Sequence, residues 1–268
     1  MKSDLKTKEP SPNKLLITVV TVVFNGVKFL EETIKSVINQ TYDNIEYIII
    51  DGGSTDGTID IIKKYEDKIA YWVSEPDKGI YDAMNKGVDA ATGSWINFMN
   101  AEDKFYSNIT IEKIFNTKQY TTKIIYGDVI IDYGNFLKVK KAKNFNKLWQ
   151  GMVCSHQSTF IESKYHKVNK FILKYSIAGD FNFFYNVFKQ NDKTTYIQNT
   201  IAIISLGGVS DINRLTVIRQ NHRIINNHKF NFKYNLYYLY LYVEQFIKKI
   251  IKLFLPKQII DRIKKIKQ

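Results

Sequence analysis

Short apolar runs rich in β-branched residues alternate with helix-like segments along the first hundred residues. Such runs are typical of strands that are buried on both faces of a sheet. Between them, apolar residues recur at helical spacing, which predicts helices that pack back on that sheet. The alternation predicts an α/β fold with a doubly wound, mostly parallel sheet flanked by helices. The predicted strands are 16–24, 45–50, 69–73 and 95–99, and the predicted helices are 27–38, 58–65 and 80–90.

The second half of the chain is less regular and ends in a helical tail. Its pattern predicts strands at 123–131 and 195–204, a hairpin turn at 132–135 and a helix at 181–188. A long amphipathic helix follows at 236–255, where Pro256 stops it. We therefore predict a disordered lead-in over 1–14, an α/β domain over 15–215 and a basic amphipathic helical tail over 216–268.

The charge of the chain is concentrated in this tail. The chain of 268 residues carries a net charge of +13, and the segment 216–268, with twelve Lys or Arg and two acids, holds +10 of it. The rest is nearly balanced, which favours a surface anchor over a nucleic-acid groove. We expect no nucleic-acid partner. The single cysteine, Cys154, excludes an internal disulfide and is typical of a buried apolar side chain.

Acidic residues follow two of the predicted parallel strands, at the edge where α/β proteins bind phosphates and metals. Glu102 and Asp103 come after the fourth strand and can supply oxygen ligands to Mg²⁺ or Mn²⁺. The alternative is that Asp103 caps a helix. Asp51 ends the second strand and can accept hydrogen bonds from a ribose or base, although the residues 51–57 by themselves favour an ordinary turn.

Two further residues stand at predicted helix starts. Lys78 and Gly79 come directly before a predicted helix. The lysine cation and the free backbone N–H groups of the helix start could together bind a diphosphate. The alternative is that Lys78 is a solvated surface lysine. Asp180 precedes the helix 181–188, where the residues alone favour an N-cap.

Several ordered motifs resemble the family-two glycosyltransferases, which have the Rossmann-like GT-A fold. The segments 18–26, 31–37, 40–42 and 51–58 are similar to the N-terminal motifs of that family. Residues 75–87 resemble the subgroup that builds colanic-acid-like and other surface polysaccharides, and 155–160, 177–181 and 207–210 continue the match. The resemblance spans 16–211. It implies a GT-A fold, a nucleotide-sugar donor, here UDP-linked, a divalent cation, Mn²⁺ or Mg²⁺, and inversion at the anomeric carbon.

The resemblance also implies roles by position. Asp180 takes the place of the catalytic base, and Glu102 and Asp103 take the place of metal ligands. His156 and Gln157 lie on the acceptor side, although His156 is equally well explained as a hydrogen-bonded structural residue. The donor-binding positions are Thr21, Phe24, Asn25, Asp51, Gly53, Lys78, Asp82, Asn100 and Ala101.

One departure from the family pattern concerns the metal. The segment 100–102 occupies the Asp-X-Asp position, with Asn100 in place of the first Asp and Glu102 in place of the second. Because Glu is one methylene longer, Asp103 is an alternative main ligand. The departure also leaves a second interpretation open, a catalytically weak relative that binds a nucleotide-sugar or acts as a scaffold.

The tail helix has an apolar, Tyr-rich stripe and a lysine face. That combination is typical of a helix that lies in the headgroup region of an anionic membrane. The alternative is a helix packed on the protein's own body or in a dimer. With neither a secretory signal nor a span of about 20 apolar residues, we expect a cytoplasmic enzyme, peripheral on the inner face of the cell membrane. Its acceptor would be a polysaccharide or a lipid-linked oligosaccharide.

Overall fold

The computed structural model describes residues 1–4, 14–116, 118–206, 208, 212–228 and 230–254. Strands in these residues form one nine-stranded mixed sheet in the order β3-β2-β1-β4-β8-β6-β9-β5, and β7 pairs with β6. The strands are β1 Ile17–Val23, β2 Ile45–Asp51, β3 Tyr71–Ser74, β4 Trp95–Phe98, β5 Lys104–Phe105, β6 Ile124–Asp132, β7 Leu137–Lys140, β8 Thr159–Glu162 and β9 Thr194–Ser205.

Helices cover both faces of the sheet. The α-helices are α1 Leu30–Ile38, α2 Thr58–Lys64, α3 Ile80–Ala90, α4 Thr110–Phe115, α5 Ser163–Val168, α6 Gly179–Lys189, α7 Arg214–His228 and α8 Phe232–Phe254. Short 3-10 helices lie at Glu66–Lys68, Phe145–Gln150 and His156–Ser158.

Apolar side chains of the central strands point alternately to the two faces of the sheet, and each face carries a hydrophobic core. In β1, Val20 and Val22 belong to one buried cluster, whereas Val19 and Val23 belong to the other. Successive side chains of a strand point to opposite faces, so a strand that is covered on both sides must be apolar throughout. Burial of every residue of β1 explains why the apolar run predicted this strand. The lone Cys154 is also buried, as predicted.

The predicted parallel arrangement describes half of the sheet. β1, β2, β3 and β4 are all parallel, so their carboxyl ends meet at one edge. The other half departs from the prediction, because β8 runs antiparallel to both β4 and β6 while β6 pairs parallel with β9. The α/β class is confirmed, and the sheet is mixed. The predicted hairpin is present as the antiparallel pair β6–β7.

The C-terminal helices pack on the same core as the sheet. Ile218 and Ile224 of α7 and Tyr238 of α8 are buried in the cluster that includes Val20. The predicted boundary between 215 and 216 falls inside α7, and the division into domains stays a prediction. Residues 255–268, including Pro256, lie outside the described residues.

The first residues differ from the prediction of a disordered lead-in over 1–14. Lys2 pairs with Val73 at the outer edge of β3, and the amino group of Met1 donates to the carbonyl of Ser74 at 2.9 Å. Backbone hydrogen bonds to an exposed edge strand fix these residues, a contact that their polar composition does not predict. Residues 5–13 of the lead-in lie outside the described residues.

Gly87 sets the distance between α3 and β1. A Cβ atom there would lie 2.4 Å from Cγ1 of Val20. Alanine gains about 0.5–1 kcal/mol of helix propensity over glycine, but overpacking a rigid core costs about 1–3 kcal/mol. We therefore expect Gly87→Ala to lower the free energy of unfolding by about 1–2 kcal/mol in urea. Lys63→Ala, on the exposed face of α2, is the control, and an unchanged or raised stability of Gly87→Ala would contradict the packing argument.

Candidate functional site

The loop after β2 is organised by Asp51, which is completely buried. Its Oδ2 accepts hydrogen bonds from the backbone N–H of Gly53 at 3.1 Å and of Ser54 at 2.9 Å, and from the hydroxyl of Ser74 at 2.6 Å. These partners enclose the carboxylate and fold the loop around it. Asp51 therefore shapes the loop, and its predicted contact with a ribose or base stays a prediction that would require this enclosure to open.

Two glycines of this loop leave room for neighbouring groups. Gly53 has a φ of +86°, in the left-handed region that favours glycine. A Cβ at Gly52 would lie 2.5 Å from Oδ2 of Asp77 and 3.4 Å from the ring of Phe24. The loops after β1, β2 and β3 thus converge on the Gly52 backbone, where Asp77 and Phe24 occupy the space that a larger side chain would take.

The loop after β1 holds an aromatic ring at the rim. Phe24 is 65% exposed. Next to it, Asn25 donates its backbone N–H to the hydroxyl of Ser54 at 2.7 Å and accepts the backbone N–H of Thr55 with Oδ1 at 3.0 Å. The side chain of Asn25 is thus committed to joining two loops. The ring of Phe24 is free to stack on a base, as its predicted donor-binding role requires.

Thr21 is the predicted donor-binding residue that the structure removes from the site. It is fully buried, and its hydroxyl bonds the carbonyl of Met99 at 2.7 Å and the hydroxyl of Tyr47 at 3.0 Å. A hydroxyl satisfied inside the sheet has no means of contacting a donor. Thr21 instead ties the end of β4 to β1, and the expectation is corrected.

The start of α3 places a cation beside a carboxylate of the first helical turn. Lys78 is exposed, and its ammonium group makes no ion pair within the described part of the chain. Its backbone N–H donates to Asp82 at 3.0 Å, and the N–H of Gly79 donates to Asp77 at 2.7 Å. Asp82 therefore fixes the backbone that leads into α3, whereas the Lys78 side chain is available to an anionic group.

The segment after β4 contains an unsatisfied amide oxygen. Asn100 is buried, its Nδ2 lies 2.9 Å from Nε2 of His156, and its Oδ1 has no hydrogen-bond partner among the described residues. A buried polar atom without a partner costs free energy, which a ligand could recover by binding there. The backbone N–H of Ala101 donates to Val22 at 3.3 Å, so the predicted donor-binding segment is held against β1.

The two adjacent acids of this segment have opposite environments. Glu102 has a φ of +84°, a strained conformation for this residue type, and is exposed. Its carboxylate makes no hydrogen bond or ion pair with the residues that the structure covers. Asp103 is buried, and accepts hydrogen bonds from Gln157 at 2.6 Å and from the backbone N–H of Ser205 at 3.4 Å. Burial raises the pKa of Asp103 to about 6.

These environments test the metal prediction. The open carboxylate of Glu102 and the unpaired amide oxygen of Asn100 are oxygen donors of the kind that Mg²⁺ and Mn²⁺ prefer. Asp103 does not fit, because its carboxylate is turned into the protein and already held. No group of three acidic, His or Cys side chains in the described ranges could hold a metal alone. A cation here would need further ligands from the donor phosphates or water.

Asp180 lies at the start of α6, facing residues from two other elements. The hydroxyl of Tyr81 lies 3.0 Å from Oδ1 of Asp180 and 2.9 Å from the carbonyl oxygen of Ile177, so its one hydrogen is shared between two acceptors; Oδ2 of Asp180 lies 3.4 Å from Nδ1 of His156. Burial, with the Asp180 charge, raises the pKa of Tyr81, so the phenol stays protonated and donates. Gly179 makes this approach feasible, since a Cβ there would lie 2.8 Å from the Tyr81 ring.

His156 and Gln157 both make contacts inside the site. His156 bridges Asp180 and Asn100 through its two ring nitrogens, and so joins the predicted base to the donor-side segment. Gln157 is buried and holds Asp103. The acceptor-side roles of both residues stay predictions, and the contacts of His156 agree with its alternative as a hydrogen-bonded structural residue.

The segment before Asp180 is held by a residue that sequence reasoning missed. Oε1 of Gln220, on α7, accepts the backbone N–H groups of Ile177 at 3.2 Å and Ala178 at 3.1 Å. Its Nε2 donates to the hydroxyl of Ser176 at 3.0 Å. One side chain of a C-terminal helix thus fixes the backbone that leads into α6. Sequence spacing carries no signal for this contact, which joins residues more than forty positions apart.

Comparison with known proteins identifies the family. The model of glycosyl transferase family 2 matches residues 18–202, so the chain belongs to that family. The chain is 28% identical over 204 residues to a PGL/p-HBAD biosynthesis glycosyltransferase of Mycobacterium bovis, which covers 73% of this chain and 79% of the relative. An uncharacterised glycosyltransferase of Haemophilus influenzae is 27% identical over 215 residues, with 74% and 82% covered. The predicted family is confirmed.

Solved structures support the GT-A fold. The structure of S. aureus TarS 1–349 in complex with UDP-GlcNAc has a TM-score of 0.63 at 15% identity, and covers 81% of this chain and 68% of TarS. The mannosyltransferase PcManGT from Pyrobaculum calidifontis, in complex with GDP-Man and Mn²⁺, has a TM-score of 0.62 at 14% identity, with 81% and 65% covered. The chain is a glycosyltransferase, and the subgroup that builds surface polysaccharides stays a prediction.

The roles of Glu102 and Asp103 can be distinguished by substitutions that keep the shape of the side chain and remove its charge. We expect Glu102→Gln to weaken UDP binding in the presence of Mn²⁺ by about tenfold or more, because it removes the open carboxylate. Asp103→Asn should leave that binding within about twofold, since its oxygen can still accept from Gln157. Calorimetric titration with UDP and Mn²⁺ measures both, and loss of metal-dependent binding in Asp103→Asn alone would contradict the assignment.

The raised pKa of Asp103 can be checked by measuring the free energy of unfolding at several pH values. Because its pKa is raised from 3.8 to about 6 in the folded state, the folded protein binds more protons than the unfolded chain between these values. Its stability contribution therefore falls as pH rises from about 4 to about 6 and is constant above. Asp103→Asn should lack this component of the pH dependence.

Gln220 is expected to act as a positioning residue for Asp180. In Gln220→Ala, kcat should fall about tenfold while the donor KM stays within about twofold, because the donor loops belong to other elements. Gln220→Glu keeps the accepting oxygen and should recover part of the turnover, and Ser176→Ala, which loses only the second hydrogen bond, should have little effect. Equal changes in kcat and KM, or no recovery with Glu, would point to a general structural role.

Proposed function

We propose that this protein is an inverting, metal-dependent glycosyltransferase that moves a hexosyl or N-acetylhexosaminyl group from a UDP-linked sugar to a polysaccharide or lipid-linked oligosaccharide. The observation that carries the proposal is the position of Asp180, which two side chains orient beside the edge where the donor loops converge. Family membership supports glycosyl transfer. The UDP-GlcNAc complex of TarS supports a UDP-linked donor, and the Mn²⁺ complex of PcManGT supports a divalent cation.

The proposed base chemistry uses the environment of Asp180. In a single displacement, the acceptor hydroxyl attacks the anomeric carbon, the bond from that carbon to the diphosphate breaks, and the hydroxyl proton passes to a carboxylate. Tyr81 donates to one oxygen of Asp180 and His156 lies beside the other. These two contacts restrict the rotation of the carboxylate, so its free lone pairs keep a fixed direction toward the acceptor.

The donor is proposed to lie across the ends of β1, β2 and β4. The exposed ring of Phe24 would stack on the base, the backbone near Gly53 would approach the ribose, and the ammonium of Lys78 would face the diphosphate. A cation held by Glu102 and the amide oxygen of Asn100 would offset the charge that develops on the leaving diphosphate. The protein's own part is to hold these groups along one sheet edge.

The alternative, a catalytically weak relative that only binds a nucleotide-sugar or acts as a scaffold, rests on Glu102. Its position is occupied by Asp in the family pattern, but its carboxylate is open and exposed rather than buried. The contacts with Tyr81 and His156 hold the carboxylate of Asp180 in one orientation, as a catalytic base requires. The active enzyme is therefore the favoured proposal.

Asp180→Asn tests the proposal directly. The amide cannot accept the acceptor proton, so we expect turnover to fall about a hundredfold or more, whereas UDP binding should stay within about threefold. The measurement is UDP released from a panel of UDP-linked sugars with Mn²⁺ and with water as acceptor. Asp89→Asn, an exposed change on α3, is the matched control.

Three results are distinguishable. Retained turnover in Asp180→Asn would remove Asp180 from the base role. UDP-sugar binding by the unsubstituted protein without UDP release from any donor would favour the weak relative. Binding of GDP-linked sugars in preference to the UDP-linked panel would correct the donor.

A further inference from the structure

The last described helix, α8, has two different apolar sides. Tyr238, 1% exposed, and Leu241 are buried against the body of the protein. On the other side is a set of exposed apolar residues that we call the outer stripe: Leu236, Leu239, Tyr240, Val243, Phe246, Ile247, Ile250 and Ile251. Packing on the protein's own body therefore accounts for one side of α8 only.

The inner side is fixed by polar and aromatic contacts. Tyr234 stacks on Trp149 with ring centroids 4.9 Å apart. His222 of α7 lies parallel to the ring of Tyr238 at 4.7 Å, and its Nε2 lies 2.8 Å from Oδ1 of Asn235. These contacts anchor the first half of α8 and determine which side faces outward.

The outer stripe is long and uninterrupted. From Leu236 to Ile251 it extends about 24 Å at the helical rise of about 1.5 Å per residue. Its residues are 37–64% exposed, with Phe246 the most exposed. Scattered apolar side chains on a surface require no explanation, but a continuous stripe of this length marks an interaction surface. No helix in the described part of the chain is long and apolar enough to cross a membrane.

The charges beside the stripe indicate what covers it. Lys248 and Lys249 are exposed on α8, together with Lys233, and Glu244, the single acid of this helix, pairs with Lys248. α7, which packs on α8, carries three exposed arginines and no acid, so the pair of helices is basic as a whole. A second copy would bring the same cations against each other, which disfavours self-association through this surface. An anionic bilayer satisfies both features, since lysine stems extend along apolar surface while their ammonium groups reach lipid phosphates.

We propose that the outer stripe of α8 inserts into the headgroup region of an anionic bilayer and holds the protein as a peripheral protein on the inner face of the cell membrane. The helix would lie parallel to the surface, with the stripe in the lipid and the inner side on the protein. Phe246, Ile247 and Ile250 would supply the apolar burial, and the lysines the electrostatic attraction. The proposal concerns the location of the protein and is independent of the reaction it catalyses.

Vesicle sedimentation with the full chain tests the proposal. We expect binding to vesicles of phosphatidylcholine containing about 30% phosphatidylglycerol, with about tenfold weaker binding to pure phosphatidylcholine and weaker binding at high salt. The double variant Phe246→Glu with Ile250→Glu should lose binding at least tenfold. Val168→Glu with Ile172→Glu, exposed on and beside α5, introduces the same charge elsewhere and should bind like the unsubstituted protein.

Light scattering of the same proteins measures their oligomeric state, and so tests whether a second copy of the chain covers the outer stripe instead of a membrane. If the unsubstituted protein ignores anionic vesicles at low salt, the proposal is wrong. If it is a dimer that Phe246→Glu with Ile250→Glu converts to a monomer, while vesicle binding is unchanged, a second copy covers the stripe instead. UDP release from UDP-sugars in the absence of lipid is measured separately, so loss of membrane binding and loss of catalysis are not confused.

Discussion

A chain of polar side chains in contact joins the two halves of the fold at the site. It runs from Tyr81 of α3 through Asp180 of α6 and His156 to Asn100 after β4. The parallel half of the sheet supplies the donor edge, and the second half supplies the helix that carries Asp180. The pairing of β4 with β8 joins the same halves through the backbone, so the distance between Asp180 and the edge formed by the parallel strands depends on both the sheet and this bridge of side chains.

The acids near this edge separate into two groups by burial. Asp51 and Asp103 are enclosed and hydrogen-bonded by the chain, and so stabilise loop geometry. Glu102 is open, and Asp180 keeps part of its surface accessible. A buried acid satisfied by backbone N–H groups and amides has little left to offer a ligand. The acidic residue types and their positions at strand ends therefore identify this edge of the sheet from the sequence. Burial, which the sequence does not give, decides which of these acids can contact a substrate.

Local pattern predicted the parallel half of the sheet because each strand there is a short run of mostly apolar residues that the fold buries. It missed β8, a four-residue strand whose antiparallel direction is set by β4 and β6, far away in sequence. It included most of α7 only within the predicted helical tail over 216–268 and gave it no bounds of its own, because apolar residues of α7 are outnumbered by polar ones. In the site, resemblance identified Asp180, but its contact with Tyr81 spans 99 positions and follows only from the assembled fold.

The C-terminal helices show the limit of an apolar pattern most clearly. Such a pattern records how much of a helix avoids water, not which neighbour excludes the water. In α8, Tyr238 packs on His222 of α7, while the outer stripe is not covered by any of the described residues. α7 in turn holds the backbone before Asp180 through Gln220. Any surface that receives the outer stripe is therefore connected, through two packed helices, to α6, the helix that carries the proposed base.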